Sequence, residues 1–322
     1  MLLNLGGPDS LGAVRPFLYN LFSDREIIRL GPAVLQKPLA RLISTVRSRK
    51  TAAMYATIGG KSPILDITRA QADALERALN EANPTHSLIA ASGFKVFVGM
   101  RYWHPLIETT AAEMHDEGIR RVLALSLYPH YSLATTGSSM NRFMDAAKRY
   151  SYEVSIPAPW YRHPGYIDAV VDTIKKGLLS FQGEPAQVLF SAHSLPMSLI
   201  ESGDPYVQHI RGTIGEITLR TDIIWHLSYQ SKSGPVRWLS PSTEEKIEEL
   251  ARKGLKNLLI VPISFVSDHI ETLYEIDILY RRLADDLGMR LIRAGSLNTH
   301  PLFIEALKDI VLTNVQDKGW QQ

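Results

Sequence analysis

The sequence contains no cysteine among its 322 residues. This absence excludes disulfides, thiolate nucleophiles and cysteine-held zinc or iron–sulfur centres. Any metal must therefore be held by His, carboxylate, hydroxyl or carbonyl groups. The chain also lacks the run of roughly 18 apolar residues that a membrane-spanning helix needs. A strand-like apolar segment begins at residue 2, which leaves no room for a signal or transit peptide, so we expect a cytoplasmic protein.

Neither sign of charge is in marked excess. Lys and Arg number 35 and Asp and Glu number 33, which gives a formal net charge of +2. This balance does not indicate a nucleic-acid partner. Hydrophobic residues make up 45% of the chain, as in ordinary soluble globular proteins. The length is sufficient for two domains, each with its own core.

Short apolar runs alternate with helical periodicity along the chain. A helix predicted over 105–117 ends at Gly118, a good C-cap, and lies between two candidate strands. Strand, helix and strand in this order predict a βαβ unit and a parallel sheet. The candidate strands are 2–5, 94–100 and 122–127 in the first half, and 188–190, 223–225 and 258–261 in the second.

A short internal echo indicates two halves of similar plan. Segment 117–123 aligns with 253–259, glycine on glycine, and in each case a helix precedes and a polar strand exit follows. We therefore expect an α/β fold with two Rossmann-like parallel-sheet halves. Prolines and polar residues cluster near 150–159. This cluster predicts the border between the two halves, which we expect at 1–152 and 153–322. The last helix, predicted over 301–314, can pack on either half.

An acidic stretch follows the apolar strand at 258–261. In an ideal α-helix Asp268, Glu271 and Glu275 would share one face, because they stand at i, i+3 and i+7. Three like charges repel one another, so such a stripe costs stability unless a cation or a proton relay occupies it. The simpler alternative is a solvated helix face, since charged rows usually face solvent.

Ligands of open α/β sheets bind beyond the carboxyl ends of the strands, so the residues at the predicted strand ends are candidates. His193 either takes a proton or binds a metal, or it is a structural residue of its loop. Arg101 pairs either with a substrate carboxylate or with an internal acid. Tyr102 and Trp238 either stack on a flat ligand or belong to the core. His269 is expected to contact the residues that bind the ligand rather than the ligand itself.

Two segments carry a specific resemblance. Residues 190–197 (FSAHSLPM) and 267–277 (SDHIETLYEID) closely resemble the two signature segments of ferrochelatase, the last enzyme of protohaem synthesis. The resemblance runs almost from end to end. It includes LGGP at 5–8, GGKSPI at 59–64, RYWHPL at 101–106, TTGSSMN at 135–141, GDPY at 203–206, QSKSGP at 230–235 and WL at 238–239.

The resemblance implies a chelatase-type fold, with the two halves around a deep porphyrin cleft. It implies insertion of ferrous iron into protoporphyrin IX, with loss of two pyrrole protons, to form protohaem. His193 would be the base or an iron ligand, and Glu271 the catalytic carboxylate opposite it, so both are also the expected metal contacts. Asp268, His269 and Glu275 would form a path for protons or metal beside them. This path lies on a helix that the family winds more loosely than α, which would rotate the stripe described above.

Further residues are expected to line the substrate pocket by the same resemblance: Ser62, Arg101, Tyr102, Tyr131 and Trp238. Animal members hold an iron–sulfur cluster through cysteines, partly in a C-terminal tail. Here Leu133 stands at one of the ligand positions, that tail is expected to be missing, and the chain has no cysteine. We therefore expect no cofactor, with iron as a substrate.

Several alternatives remain open at this stage. The substrate can be coproporphyrin or another tetrapyrrole, and a porphyrin or haem carrier without turnover is a further possibility. The presence of both His193 and Glu271 argues against a carrier. The apolar, cationic segment 27–43 can be a pocket wall, a lid, or a surface that makes peripheral contact with the inner membrane. The chain is expected to be a monomer or a homodimer.

Overall fold

The structure, a computed structural model, describes residues 1–81 and 93–320 and divides the chain into two compact units. The first unit comprises Met1–Trp160 and Asn298–Gln322, and the second comprises Tyr161–Leu297. The division lies at Trp160 rather than after residue 152. The reason is that the Trp160 side chain is only 6% exposed and its Nε1–H donates to the Ser126 carbonyl oxygen at 3.0 Å.

Helices and strands alternate through most of the chain. The strands are β1 (Leu2–Asn4), β2 (Val98–Met100), β3 (Arg121–Leu123), β4 (Leu125–Ser126), β5 (Glu153–Ser155), β6 (Gln187–His193), β7 (Trp225–Gln230), β8 (Asn257–Pro262) and β9 (Arg290–Arg293). The α-helices are α1 (Val14–Ser23), α2 (Gln36–Thr57), α3 (Ile64–Glu81), α4 (Ile107–Asp116), α5 (Ser138–Ala147), α6 (Pro164–Leu179), α7 (Met197–Glu201), α8 (Tyr206–Thr218), α9 (Thr243–Arg252), α10 (Arg281–Asp286) and α11 (Pro301–Asp317). A 3-10 turn spans Ala33–Leu35, and π-helices span Leu133–Gly137 and Glu271–Tyr280.

The first unit is built on parallel strand pairs. Its central sheet has the order β2-β1-β4, and β3 pairs separately with β5. A core cluster that includes Leu3, Ile107, Val122 and Phe143 packs helices onto these strands. Helix α11, left open by the sequence, belongs to this unit and contacts α3.

The second unit is a four-stranded parallel sheet of order β7-β6-β8-β9. Every residue of β8 is buried, as expected for a strand covered on both faces. Register places His193 of β6 opposite Gln230 of β7, at the ends of both strands. Because the strands are parallel, their carboxyl ends meet along one edge. This edge carries the site described below.

Strand β7 corrects one prediction. Residues 223–225 were predicted as the strand and 226–230 as its polar exit, but the strand runs from Trp225 to Gln230. Of the polar side chains that suggested an exit, Ser228 and Gln230 are buried and hydrogen-bonded inside the unit. The Gln230 amide oxygen accepts a hydrogen bond from the Ser191 hydroxyl at 2.7 Å, for example. Buried polar groups of this kind are normally hydrogen-bonded, so polarity alone does not mark the end of a strand.

Candidate active site

An acid–base pair lies at the carboxyl edge of the sheet in the second unit. His193 is the last residue of β6, and Glu271 is the first residue of the π-helix that follows β8. Their Nδ1 and Oε2 atoms are 2.8 Å apart. The His193 side chain is 34% exposed and that of Glu271 is 19% exposed. The pair is therefore shielded by the protein and still open to a ligand.

The helix that carries Glu271 is a π-helix over Glu271–Tyr280. At its end the Arg281 N–H donates to the Ile276 carbonyl oxygen, five residues back. This i→i+5 pattern defines the π-helix, a rare conformation that is frequent at functional sites. The looser winding expected from the family resemblance is thus present. The stripe drawn with ideal α-helical spacing was wrong.

Asp268 faces a different partner from the two glutamates. It precedes the helix, and its Oδ1 accepts hydrogen bonds from Arg293 at 2.9 Å, Ser296 at 2.7 Å and Thr272 at 3.0 Å. The Arg293 guanidinium also holds both carboxylate oxygens of Asp277 at 2.9 Å. The expected row of three unpaired acids is therefore corrected, since Arg293, at the end of β9, brings a cation to Asp268.

Ser231 joins the two glutamates. Its hydroxyl lies 2.7 Å from Glu271 Oε2 and 2.6 Å from Glu275 Oε2. The preceding residue, Gln230, donates through Nε2 to the Glu271 carbonyl oxygen at 3.0 Å and to Glu275 Oε2 at 3.3 Å. A serine hydroxyl carries one proton and can donate to only one carboxylate. The second contact becomes a hydrogen bond when that carboxyl group holds a proton.

The electrostatic environment separates the two glutamates. Burial and the neighbouring Glu271 carboxylate raise the pKa of Glu275 to about 7. Burial also acts to raise the pKa of Glu271, but the charge and hydrogen bond of His193 outweigh it and lower that pKa. For His193, burial acts to lower the pKa, whereas Glu271 and Glu275 raise it, and the raising effects prevail. The arrangement favours a charged His193–Glu271 pair beside a neutral Glu275.

His269 packs beside the pair. Its ring meets Phe265 edge-on, with ring centroids 4.3 Å apart, and its Nδ1 lies 3.0 Å from the Ser267 carbonyl oxygen. Burial lowers the pKa of His269. A neutral imidazole fixed in this way gives the start of the helix a rigid support.

In the first unit, Arg101 and Tyr102 converge on Asp24. The Asp24 Oδ2 atom accepts from the Arg101 guanidinium, from the Tyr102 hydroxyl at 2.6 Å and from Ser138 Oγ at 3.1 Å. Tyr102 is only 1% exposed, and burial raises the pKa of its hydroxyl. Tyr102 is therefore interior, which matches the alternative that assigned it to the core. For Arg101 the structure shows the internal ion pair that was the alternative.

Ser62 is also interior. It is 6% exposed, and its N–H donates to the Pro8 carbonyl oxygen at 2.8 Å. A Cβ atom added to Gly7 would lie 2.5 Å from Ser62 Oγ, so the glycine lets the two segments pack closely. Ser62 thus packs against the turn that follows β1.

The remaining predicted pocket residues lie in different units. Tyr131 lines a cavity of about 230 Å³ in the first unit, together with Thr136 and Trp160. Trp238 belongs to the loop after β7 in the second unit and bridges to Pro196. Its indole Nε1 is buried and has no hydrogen-bond partner among the described residues.

The pair does not form a larger chelating set. Within residues 1–81 and 93–320, no group of three or more His, Asp or Glu side chains is placed to hold a metal ion. His193 and Glu271, the expected iron contacts, are hydrogen-bonded to each other. Two adjacent ligands are fewer than a resident metal ion normally has, so the pair suits a substrate ion that binds transiently.

Sequence reasoning placed Gln230 and Ser231 at a strand exit but assigned neither residue a role in the site. Both stand at the end of β7, the edge at which ligands are expected. Arg293 was missed as well, because pairing between distant segments leaves no local pattern.

Known proteins resemble this chain over almost its whole length. The family model described as Ferrochelatase matches residues 1–315 of this chain. Among curated relatives, the Ferrochelatase of Desulfotalea psychrophila is 51% identical over 315 residues, covering 97% of this chain and 95% of the relative. The Ferrochelatase of Geobacter metallireducens is 51% identical over 316 residues, covering 97% and 96%. That of Synechocystis sp. is 46% identical over 328 residues, covering 98% and 82%.

Solved structures share the fold. SirB from Bacillus subtilis with Fe3+ superposes with a TM-score of 0.53 at 17% identity, over 79% of this chain and 92% of that one. The sirohydrochlorin chelatase SirB of Bacillus subtilis subspecies spizizenii in complex with cobalt gives 0.50 at 17% identity, over 78% and 92%. At this identity the likeness concerns the fold, which is of the chelatase type.

Proposed function

The chain belongs to the ferrochelatase family, whose reaction is the insertion of Fe2+ into a porphyrin in haem synthesis, and we propose that His193 and Glu271 carry this reaction with protoporphyrin IX as the substrate. The single observation that supports the residue assignment is the 2.8 Å contact between the two side chains. It joins a base and a carboxylate at the ligand-binding edge of the sheet.

Iron insertion requires that two N–H protons leave the macrocycle. The His193 Nδ1 faces Glu271, so Nε2 is the atom that can accept a pyrrole proton once the imidazolium has released its own Nε2 proton. As Nε2 gains the proton, Nδ1–H donates to the Glu271 carboxylate, which stabilises the imidazolium. The second pyrrole proton can be accepted in the same way only after Nε2 has released the first, which returns the imidazole to the neutral form with its proton on Nδ1.

The proposed substrate is planar, and its nitrogens lie in the plane of the ring. Bending the ring exposes the N–H bonds and the nitrogen lone pairs to groups above or below it. Burial of the large apolar macrocycle can supply the free energy for this distortion. The proposal needs no resident cofactor, because iron is a substrate and the chain has no thiolate for an iron–sulfur cluster.

Anaerobic metal insertion tests the proposed substrate. Purified protein is mixed with Fe2+ and with protoporphyrin IX or coproporphyrin, and haem formation is followed spectrophotometrically. The proposal predicts a clearly higher kcat/KM for protoporphyrin IX. Preference for coproporphyrin would overturn the choice of substrate but not the family. Binding of porphyrin without insertion of Fe2+, Co2+, Ni2+ or Zn2+ would indicate a carrier.

We also propose that the protein is cytoplasmic and meets the inner membrane through the start of α2 and the turn before it. Val34, Leu42 and Val46 are 82%, 60% and 71% exposed, which is unusual for apolar side chains on one short stretch. Lys37 and Arg41 line a groove on the same surface and suit anionic headgroups. No helix among the described residues is long and apolar enough to cross a bilayer, so the proposed contact is peripheral.

Flotation with liposomes tests the membrane contact. The protein is expected to float with vesicles that contain phosphatidylglycerol at low salt, and less at high salt. Val34→Asp together with Val46→Asp should abolish flotation, whereas Leu219→Asp, at an equally exposed leucine in the second unit, should leave it unchanged. No flotation of the parent protein at low salt would contradict the proposal.

A further inference from the structure

Ser231 has a backbone conformation that serine rarely adopts. Its φ angle is 66°, in the left-handed region that favours glycine. Residues held in this region persist only where the surrounding structure fixes them, and they cluster at functional sites. The left-handed conformation of Ser231 therefore points to a functional role for its side chain.

The side chain of Ser231 ends between two acids. Its hydroxyl is 2.7 Å from Glu271 and 2.6 Å from Glu275, the two carboxylates of the π-helix that lie nearest His193. The Glu271 oxygen that it contacts, Oε2, is also the atom 2.8 Å from His193 Nδ1. One hydroxyl thus fixes the orientation of the carboxylate that faces the imidazole.

A glycine at this position would relieve the backbone but remove the hydroxyl. The Glu271 and Glu275 carboxyl groups would then lose the hydroxyl that contacts both of them. Gln230 would still hold the main chain at Glu271 through its carbonyl oxygen. The Glu271 carboxylate itself would keep only His193 as a fixed partner among the contacts described above.

We propose that Ser231 is a positioning residue for iron insertion: its left-handed backbone directs the hydroxyl between Glu271 and Glu275, and this hydroxyl holds the Glu271 carboxylate against His193. The inference rests on the proposed function of the His193–Glu271 pair. It adds a residue that acts through Glu271 and does not itself touch the reacting atoms.

The test compares two serine-to-glycine variants that both relieve a left-handed backbone. Ser231→Gly removes the bridging hydroxyl, whereas Ser151→Gly changes an exposed serine with a φ of 53° in the first unit. Ser231→Gly should lower kcat by roughly 10- to 100-fold, the usual loss when a supporting hydrogen bond is removed, with the KM for porphyrin unchanged. Ser151→Gly should leave both constants unchanged.

A second readout does not depend on turnover. Nitrogen-15 NMR of the histidine rings reports whether His193 Nδ1 is hydrogen-bonded to a carboxylate, and a His193→Ala spectrum assigns the signal. The parent and Ser151→Gly should show this hydrogen bond, and Ser231→Gly should lose or weaken its signature. Circular dichroism and thermal melting should show that both glycine variants are folded.

The outcomes separate this inference from the proposed function. If Ser231→Gly keeps kcat within about twofold of the parent and retains the His193 signature, the positioning role is wrong even when His193→Ala is inactive. If the parent inserts no metal, the proposed function fails. The NMR comparison still decides whether Ser231 holds Glu271 against His193.

Discussion

His193 Nδ1 and Glu271 Oε2 lie 2.8 Å apart, although one residue ends a strand and the other begins a π-helix. The parallel sheet brings the end of β6 and the segment after β8 to one edge. The π-helix and Ser231 then set the orientation of the carboxylate. The geometry of this pair gives rise to several expectations that can be measured.

Glu275→Gln should change the pH dependence of stability. The pKa of Glu275 is raised from 4.5 to about 7, so between these values the folded protein holds a proton that the unfolded chain releases. Stability from this group therefore falls as pH rises through that range. Gln cannot ionise, so the variant should match the parent near pH 4.5 and exceed it by about 1 kcal/mol or more above pH 7.

Urea denaturation at several pH values measures this effect. Asp145→Asn, at an exposed acid in the first unit, serves as the control for loss of a negative charge. A stability difference between Glu275→Gln and the parent that is the same at both ends of the pH range would show that Glu275 is not protonated in the folded protein.

Arg293→Met should destabilise the second unit strongly. The Arg293 side chain is 12% exposed and pairs with Asp268 and Asp277, which are 19% and 24% exposed. Removal of the cation breaks its pairs with two shielded carboxylates, at a cost of roughly 3 kcal/mol. Arg281→Met removes a half-exposed arginine 3.8 Å from the same Asp277 and should cost less than about 1 kcal/mol. Equal losses in chemical denaturation would mean that Arg293 is not the cation that neutralises these acids.

Tyr102→Phe should affect stability without affecting porphyrin binding. The tyrosine is interior and its hydroxyl donates to the Asp24 carboxylate at 2.6 Å. Loss of a hydrogen bond to a charged group costs about 1.5–3 kcal/mol. Denaturation gives the free energy of unfolding, and fluorescence titration gives the porphyrin Kd. A tenfold weaker Kd with unchanged stability would restore the original expectation that Tyr102 contacts the substrate.

Sequence reasoning predicted the α/β class, the parallel strands and the His193–Glu271 pair. These features leave a local mark, either as apolar runs or as a recognisable motif. The echo between 117–123 and 253–259 also corresponds to equivalent turns, since Gly118 and Gly254 both have left-handed φ angles of 81° and 85° before a strand. Such a turn depends on the residue itself, so the sequence carries it.

Other features depend on partners that are distant in sequence. Asp268 was grouped with Glu271 and Glu275 by spacing alone, whereas Arg293 determines where its carboxylate points. Tyr102 was expected at the substrate from the family resemblance, whereas in the structure its hydroxyl donates to Asp24 within the same unit. The left-handed conformation of Ser231 was not predicted, because no sequence pattern distinguishes a left-handed serine from any other serine.

Anaerobic insertion of Fe2+ into protoporphyrin IX by the parent, His193→Ala and Glu271→Gln tests the central claim most directly, with porphyrin binding measured in parallel by fluorescence. The account predicts that both variants bind porphyrin as the parent does and lose at least about 100-fold in turnover, because the proton acceptor or its partner is gone. Near-parent turnover in either folded variant would contradict it.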